Sequence, residues 1–169
     1  MTLSIPKLQK CDTIIINTKR KGPPMDITVF VNTKKTASLS KAATDEFVKR
    51  LRPYCNLHII HTVKPDTPAT GNNVQNFCIT PASKSDKTGE NFYCIKTISS
   101  EEFAEKIQTM TVNGISKIFF YIGYASKCTD NCLPFAITSV SLDLSMNLVV
   151  LCEQIYRAYT INNHITYHK

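Results

Sequence analysis

Residues 148–159, Leu148-Val149-Val150-Leu151-Cys152-Glu153-Gln154-Ile155-Tyr156-Arg157-Ala158-Tyr159, limit the fold more than any other segment. Their apolar side chains recur at helical spacing and leave almost no polar face. A helix of this kind needs cover on several sides, from its own sheet or from a partner chain as well. No run in the sequence approaches the ~18–20 apolar residues that a membrane span requires.

The cover is legible upstream. Lys117-Ile118-Phe119-Phe120-Tyr121-Ile122 is nearly continuous in its apolar character, as a central strand buried on both faces should be. Shorter β-branched and aromatic runs predict strands at 26–31, 57–63, 92–95 and 135–142. Leu39, Ala42, Ala43, Phe47 and Leu51 predict a helix over 39–51, stopped by Arg52-Pro53. Ser99 and Glu102 form a capping box that opens a second helix. Phe103, Ala104, Ile107 and Met110 share one face of it, and Asn113-Gly114 end it. Residues 64–90 are polar and broken by Pro65, Pro68, Gly71, Pro81 and Gly89, and read as a long loop or lobe. Alternating strands and helices give an α/β class with a mostly parallel sheet of about five strands.

Two parts of the chain differ in charge. Residues 1–25 hold Lys7, Lys10, Lys19, Arg20 and Lys21 against Asp12, a balance of +4 in a chain whose net charge is +7. Residues 1–24 read as a basic extension closed by Lys19-Arg20-Lys21-Gly22-Pro23-Pro24, and 25–169 as one domain. A basic arm suits a polyanion such as RNA, and it equally suits a solvated tail. The start of the chain lacks the layout of a secretory signal, which leaves a cytoplasmic location, with organellar targeting by the basic arm open. The seven cysteines are irregularly spaced and mostly sit in apolar runs, as free thiols would. Cys128 and Cys132 are the one close pair, open to a zinc or thiol role, and no metal site is assigned to them. His58 and His61, three apart on a strand, point to opposite faces.

The last residues carry the functional signal. Glu153-Gln154-Ile155-Tyr156-Arg157-Ala158 leads into a short tail that closes on Tyr167-His168-Lys169. This stretch resembles the C-terminus of the ribosomal large-subunit methyltransferase H family, a branch of the knotted SPOUT methyltransferases. Two further stretches resemble it in order. Asp45-Glu46-Phe47-Val48-Lys49-Arg50-Leu51-Arg52-Pro53-Tyr54 is similar to its first helix, and Ser99-Ser100-Glu101-Glu102-Phe103-Ala104 to a later helix start. The resemblance implies an α/β knot with helices on both faces of the sheet, and a homodimer that binds S-adenosylmethionine. It further implies methyl transfer to a pseudouridine of large-subunit ribosomal RNA. By position it places Ile122, Gly123, Tyr124, Ser141 and Leu142 at the cofactor, and Arg157, Tyr167 and His168, from the partner's tail, at the reaction.

The chemistry can be stated independently of the family. A methyl sulfonium is already activated, so a site must position the nucleophile and exclude water. An imide-like ring nitrogen must lose its proton, which suits His168 or Tyr167. Arg157 can clamp a phosphate, or simply pair with Glu153 four residues earlier. The sequence departs from the family pattern beside Gly123, where Tyr124 replaces a glycine and a large ring would crowd a ligand. Asp143-Leu144 also replaces a Pro-His pair. A non-catalytic RNA-binding or ribosome-associated homologue is therefore the second expectation.

Overall fold

The computed structural model describes residues 24–34, 38–65, 68–80, 96–124 and 131–167. The elements run β1 (Met25–Val31), α1 (Ser38–Leu51), β2 (Cys55–His61), β3 (Val74–Ile79), α2 (Ser100–Val112), β4 (Lys117–Ile122), β5 (Leu133–Phe135) and α3 (Leu144–Asn162). The strands form one sheet in the order β2-β1-β4-β3-β5, with every neighbouring pair parallel. β4 is central, as its apolar run required, and pairs Ile27 with Ile118, Val29 with Phe120 and Val31 with Ile122.

Side-chain alternation divides the sheet into two unlike faces. Ile27, Val29, Val31, Phe77, Ile79, Ile118, Phe120 and Ile122 join the main core with all three helices. The opposite face carries a smaller cluster of Phe30, Tyr121 and Tyr124, with Phe119 and Cys132 packed against it. Among the described residues the helices thus lie on one face, not on both as expected. The steps β1 to β2 and β3 to β4 run in the same direction across the sheet, so right-handed crossovers carry α1 and α2 to the same side.

α3 lies between α1 and α2 over the sheet. Leu148, Leu151, Cys152, Ile155 and Ala158 are fully enclosed. The chain's own elements therefore supply the several-sided cover this helix needed. Gln154 accepts a hydrogen bond from Ser100 Oγ at 3.0 Å, and Asn162 Nδ2 donates to the Ala104 carbonyl at 2.9 Å, so α2 is pinned along α3. The α2 capping box is present in both halves, with Phe103, Ala104, Ile107 and Met110 buried as read. No described helix is long and apolar enough to cross a membrane.

Two strand assignments need correction. Residues 74–79, taken as loop, form β3 inside the sheet. Asn76 is buried there, and its amide donates to the Ala69 carbonyl at 2.8 Å. That bond satisfies the amide nitrogen of a polar residue inside the strand, while its Oδ1 is buried without a partner among the described residues. The strand expected at 135–142 instead ends at Phe135, after which Thr138 Oγ1 accepts from Val140 N at 3.1 Å and competes with ladder bonding. The strand expected at 92–95 lies outside the described residues. Just beyond it, Thr97 makes an isolated parallel bridge to Ala136.

Candidate cofactor and substrate site

In open α/β sheets, ligands bind beyond the carboxyl ends of the strands where successive connections leave in opposite directions. Here that point lies between β1 and β4: the chain leaves β1 towards β2 and leaves β4 towards β5. Asn32 and Gly123 follow these two strands. Asn32 N donates to the Ile122 carbonyl at 3.0 Å, and Asn32 Nδ2 donates to the Gly123 carbonyl at 2.9 Å, which locks the two strand ends together. Sequence reasoning missed Asn32. Its one signal was a polar amide at the end of an apolar strand beside the crossover.

Gly123 has φ +83, a backbone region that penalises side chains. A Cβ built there would lie 2.7 Å from Leu144 Cδ2 and 3.1 Å from Asn32 Cβ. The glycine is thus demanded by the packing of α3 against the strand end, before any ligand is considered. The same contact brings the start of α3 to the junction. Asp143 caps that helix, its Oδ1 accepting from Ser145 N at 2.7 Å and Met146 N at 3.0 Å. Just ahead of it, the Leu142 carbonyl accepts from Asn147 Nδ2 at 3.0 Å and Ser141 is exposed. Ile122, Gly123, Ser141 and Leu142 are therefore gathered at one end of the sheet.

Tyr124 follows Gly123, but its ring does not crowd the junction. It lies in the cluster on the helix-free face, edge-on to Tyr121 at 6.3 Å, and its hydroxyl donates to the Thr62 carbonyl. The ring thus lies on the face opposite the described helices and reaches from the end of β4, past β1, to the residue after β2.

The tail residues sit elsewhere. After α3, His164 takes φ 55 and the chain turns back, with Ile165 N donating to the Thr160 carbonyl at 2.9 Å. The turn lays Tyr167 edge-on against Tyr156 at 4.8 Å and under the Arg157 guanidinium at 5.9 Å. Arg157 Nε and Nη2 both donate to Glu153 Oε1, at 2.8 and 2.6 Å. The i,i+4 pairing weighed against phosphate clamping is thus present. His168 lies outside the described residues. Leu144 touches Gly123, and Arg157 follows thirteen residues later on the same helix, about 20 Å along its axis at 1.5 Å per residue. One copy therefore keeps the strand-end junction and the tail residues apart.

Comparison with known proteins fits this layout. The family model described as "Predicted SPOUT methyltransferase" matches residues 25–168. The chain belongs to this family. It is 33% identical over 165 residues to Ribosomal RNA large subunit methyltransferase H of Clostridioides difficile (strain 630), covering 86% of this chain and 100% of the relative. The namesake from Clostridium novyi (strain NT) is 32% identical over 159 residues, with the same shares covered. That from Leuconostoc mesenteroides is 32% identical over 139 residues, covering 73% of this chain and 87% of the relative.

Membership in the SPOUT family implies a cofactor of the S-adenosylmethionine type, and the junction suits one. The α3 amides of Ser145 and Met146 are occupied by Asp143, so this helix end does not solicit an anion. It presents a carboxylate instead, the charge complementary to a sulfonium. Gly123 and Ser141 are exposed, the first against Leu144 and the second close to Asp143 in the chain.

Proposed function

We propose that this protein methylates a pseudouridine of large-subunit ribosomal RNA from S-adenosylmethionine, as a homodimer. The carrying observation is the Asn32–Gly123–Leu144 junction at the sheet's switch point, in a SPOUT family member. The ribosomal RNA substrate is taken from the names of the Clostridioides difficile and Clostridium novyi relatives. Distance supports the dimer, given a reaction that uses the tail residues. Arg157 and Tyr167 stand about 20 Å along α3 from the junction, so a second copy must bring its tail to complete each site.

S-adenosylmethionine, when bound, supplies a methyl group already activated on sulfur. The protein's own residues then orient and exclude water. Ile122, Gly123, Ser141 and Leu142 hold the cofactor through their backbone, and Asp143 stabilises its positive charge. Asn32 keeps the Gly123 carbonyl fixed. Arg157 of the second copy exchanges Glu153 for an RNA phosphate, and His168 or Tyr167 takes the proton from the ring nitrogen. The basic extension of residues 1–24 adds phosphate contacts to the domain of 25–169. A ribosomal substrate places the protein where ribosomes assemble. The reading of a scaffold that has lost its cofactor rested on Tyr124, Leu144 and the basic arm; the Tyr124 ring lies on the far face of the sheet, and Leu144 packs against Gly123.

The test combines binding and transfer. At ~100 times its dissociation constant, S-adenosylmethionine should raise stability by about 2.7 kcal/mol in thermal unfolding. Labelled methyl should appear in large-subunit RNA, and the protein should sediment as two chains. Absence of both the stabilisation and the label would overturn the reading.

A further inference from the structure

The last turn of α1 reaches the tail through tyrosine rings. The Arg50 guanidinium lies 6.0 Å from the centre of the Tyr156 ring. Tyr156 meets Tyr167, which in turn carries Arg157. Arg50 and Arg157 therefore flank a single pair of rings, yet their bonding differs. Arg157 spends both Nε and Nη2 on Glu153 Oε1, in a pair with 31% and 19% of its side chains exposed. Arg50 spends only Nε, on Glu46 Oε1 at 2.9 Å, and both side chains are about half exposed, at 45% and 51%. Among the described residues, the outer edge of the Arg50 fork makes no further hydrogen bond.

We propose that Arg50 is a positioning residue for the RNA, gripping a backbone phosphate next to the tail. Glu46 fixes the guanidinium plane from one side, and the Tyr156 ring supports its face. An arginine held by Nε with its outer edge open is arranged for bidentate recognition of phosphate. The hydrogen bond that Arg50 donates to Glu46 also holds the guanidinium pKa above its ordinary value. Nearby Lys49 and Arg52 are exposed and form no ion pair within the described residues, which leaves the end of α1 net positive. The bland account is that Arg50 serves its own helix, as a basic last-turn residue paired at i,i+4. That account needs charge alone and gives no role to the aromatic bridge towards Tyr167.

The proposal takes its occupant from the ribosomal RNA reading, but its test needs no cofactor. Full-length wild type, Arg50→Gln, Arg50→Lys and Glu46→Gln are titrated with deproteinised large-subunit ribosomal RNA across a salt series. Arg50→Gln should weaken binding about tenfold and reduce the slope of log affinity against log salt by about 1. Arg50→Lys should restore the slope and only part of the affinity, because an ammonium lacks the fork. Glu46→Gln, which removes a competing carboxylate, should bind more tightly. In transfer assays the Arg50→Gln defect should appear in KM for RNA, with kcat and cofactor affinity retained. Unchanged affinity and slope in Arg50→Gln would overturn the proposal, even if the wild type methylates normally. An unchanged slope with altered sedimentation would also overturn it, by assigning Arg50 to a contact between copies. If wild type binds RNA as described but transfers no methyl, the enzymatic reading fails while the Arg50 grip stands.

Discussion

The two ends of α3 are built differently. At its start, the junction with the strands is made of backbone: a left-handed glycine, carbonyls held by Asn32, and amides satisfied by Asp143. At its finish, the surface is made of side chains, with Tyr156, Tyr167, Arg50 and Arg157 in contact and a glutamate paired to each arginine. Backbone contacts tolerate changes of side chain, provided the chain path is kept. Side-chain contacts do not. This fits the sequence reading, in which the stretch around Gly123 and Asp143 departs from the resembled pattern while the Tyr-Arg helix and its tail follow it.

The widest separation between the two ends should appear in activity. Gly123→Ala damages the junction and Arg157→Ala the tail, and each alone should be nearly inactive in methyl transfer. If the two ends meet only across copies, refolding an equimolar mixture should restore about a quarter of wild-type activity, because half the dimers are mixed and each holds one intact site. No recovery, with mixed dimers confirmed by mass, would place both ends in one copy's site and erase the comparison.

A smaller effect should show in stability. Gly123→Ala forces a side chain into a left-handed backbone and against Leu144, and should cost about 2–3 kcal/mol. Leu144 can yield because only its flexible end is close. Gly123→Ala with Leu144→Ala should therefore cost less than the sum of the two single changes in chemical denaturation. At the other end, Tyr167→Phe keeps the ring packing against Tyr156 and should leave stability within ~0.5 kcal/mol. Equal losses for Gly123→Ala and Tyr167→Phe would deny that one end is structural and the other functional.

The same division explains what the sequence disclosed. The β4 run, the α2 capping box and the α3 pattern are local signals, and each stands where it was read. β3 was invisible because Asn76 draws its partner from the Ala69 carbonyl, which only the folded chain supplies. The overlong strand from Phe135 reflected alternation that the Thr138 hydroxyl interrupts locally. Helix placement on one face depends on strand order, which no periodicity encodes. Gly123 was named by position and stands at the strand-end junction, but the direction of Tyr124 was not foreseen, since it is set by the Thr62 carbonyl across the sheet. Arg50 stood within a matched motif and gained a role only through its distance to Tyr156.

Asp143 sharpens the backbone end further, because its cap and its charge can be separated. Asp143→Ala removes the acceptor for Ser145 N and Met146 N, and should cost about 1 kcal/mol. Asparagine caps as well as aspartate, so Asp143→Asn should leave stability nearly unchanged while weakening binding of the cationic cofactor more than of its neutral-sulfur product. Equal weakening of both ligands in calorimetry would reduce Asp143 to a cap.

Midway between the ends, Cys152 gives the smallest and most general test. It is fully enclosed, and burial, with a smaller contribution from Cys55, pushes its thiol up to about 12. A thiol whose folded pKa is raised stabilises the fold fully below its unfolded value, near 9, and loses that contribution as pH climbs towards the folded value. Between pH 7 and 9.5 the wild type should therefore lose on the order of 1 kcal/mol more than Cys152→Val, measured by urea unfolding at both pH values. Neither the junction nor the tail takes part in this titration. An equal alkaline loss in both proteins would mean that the centre of α3 admits water, and the helix could then no longer serve as the rigid spacer that holds its two ends apart.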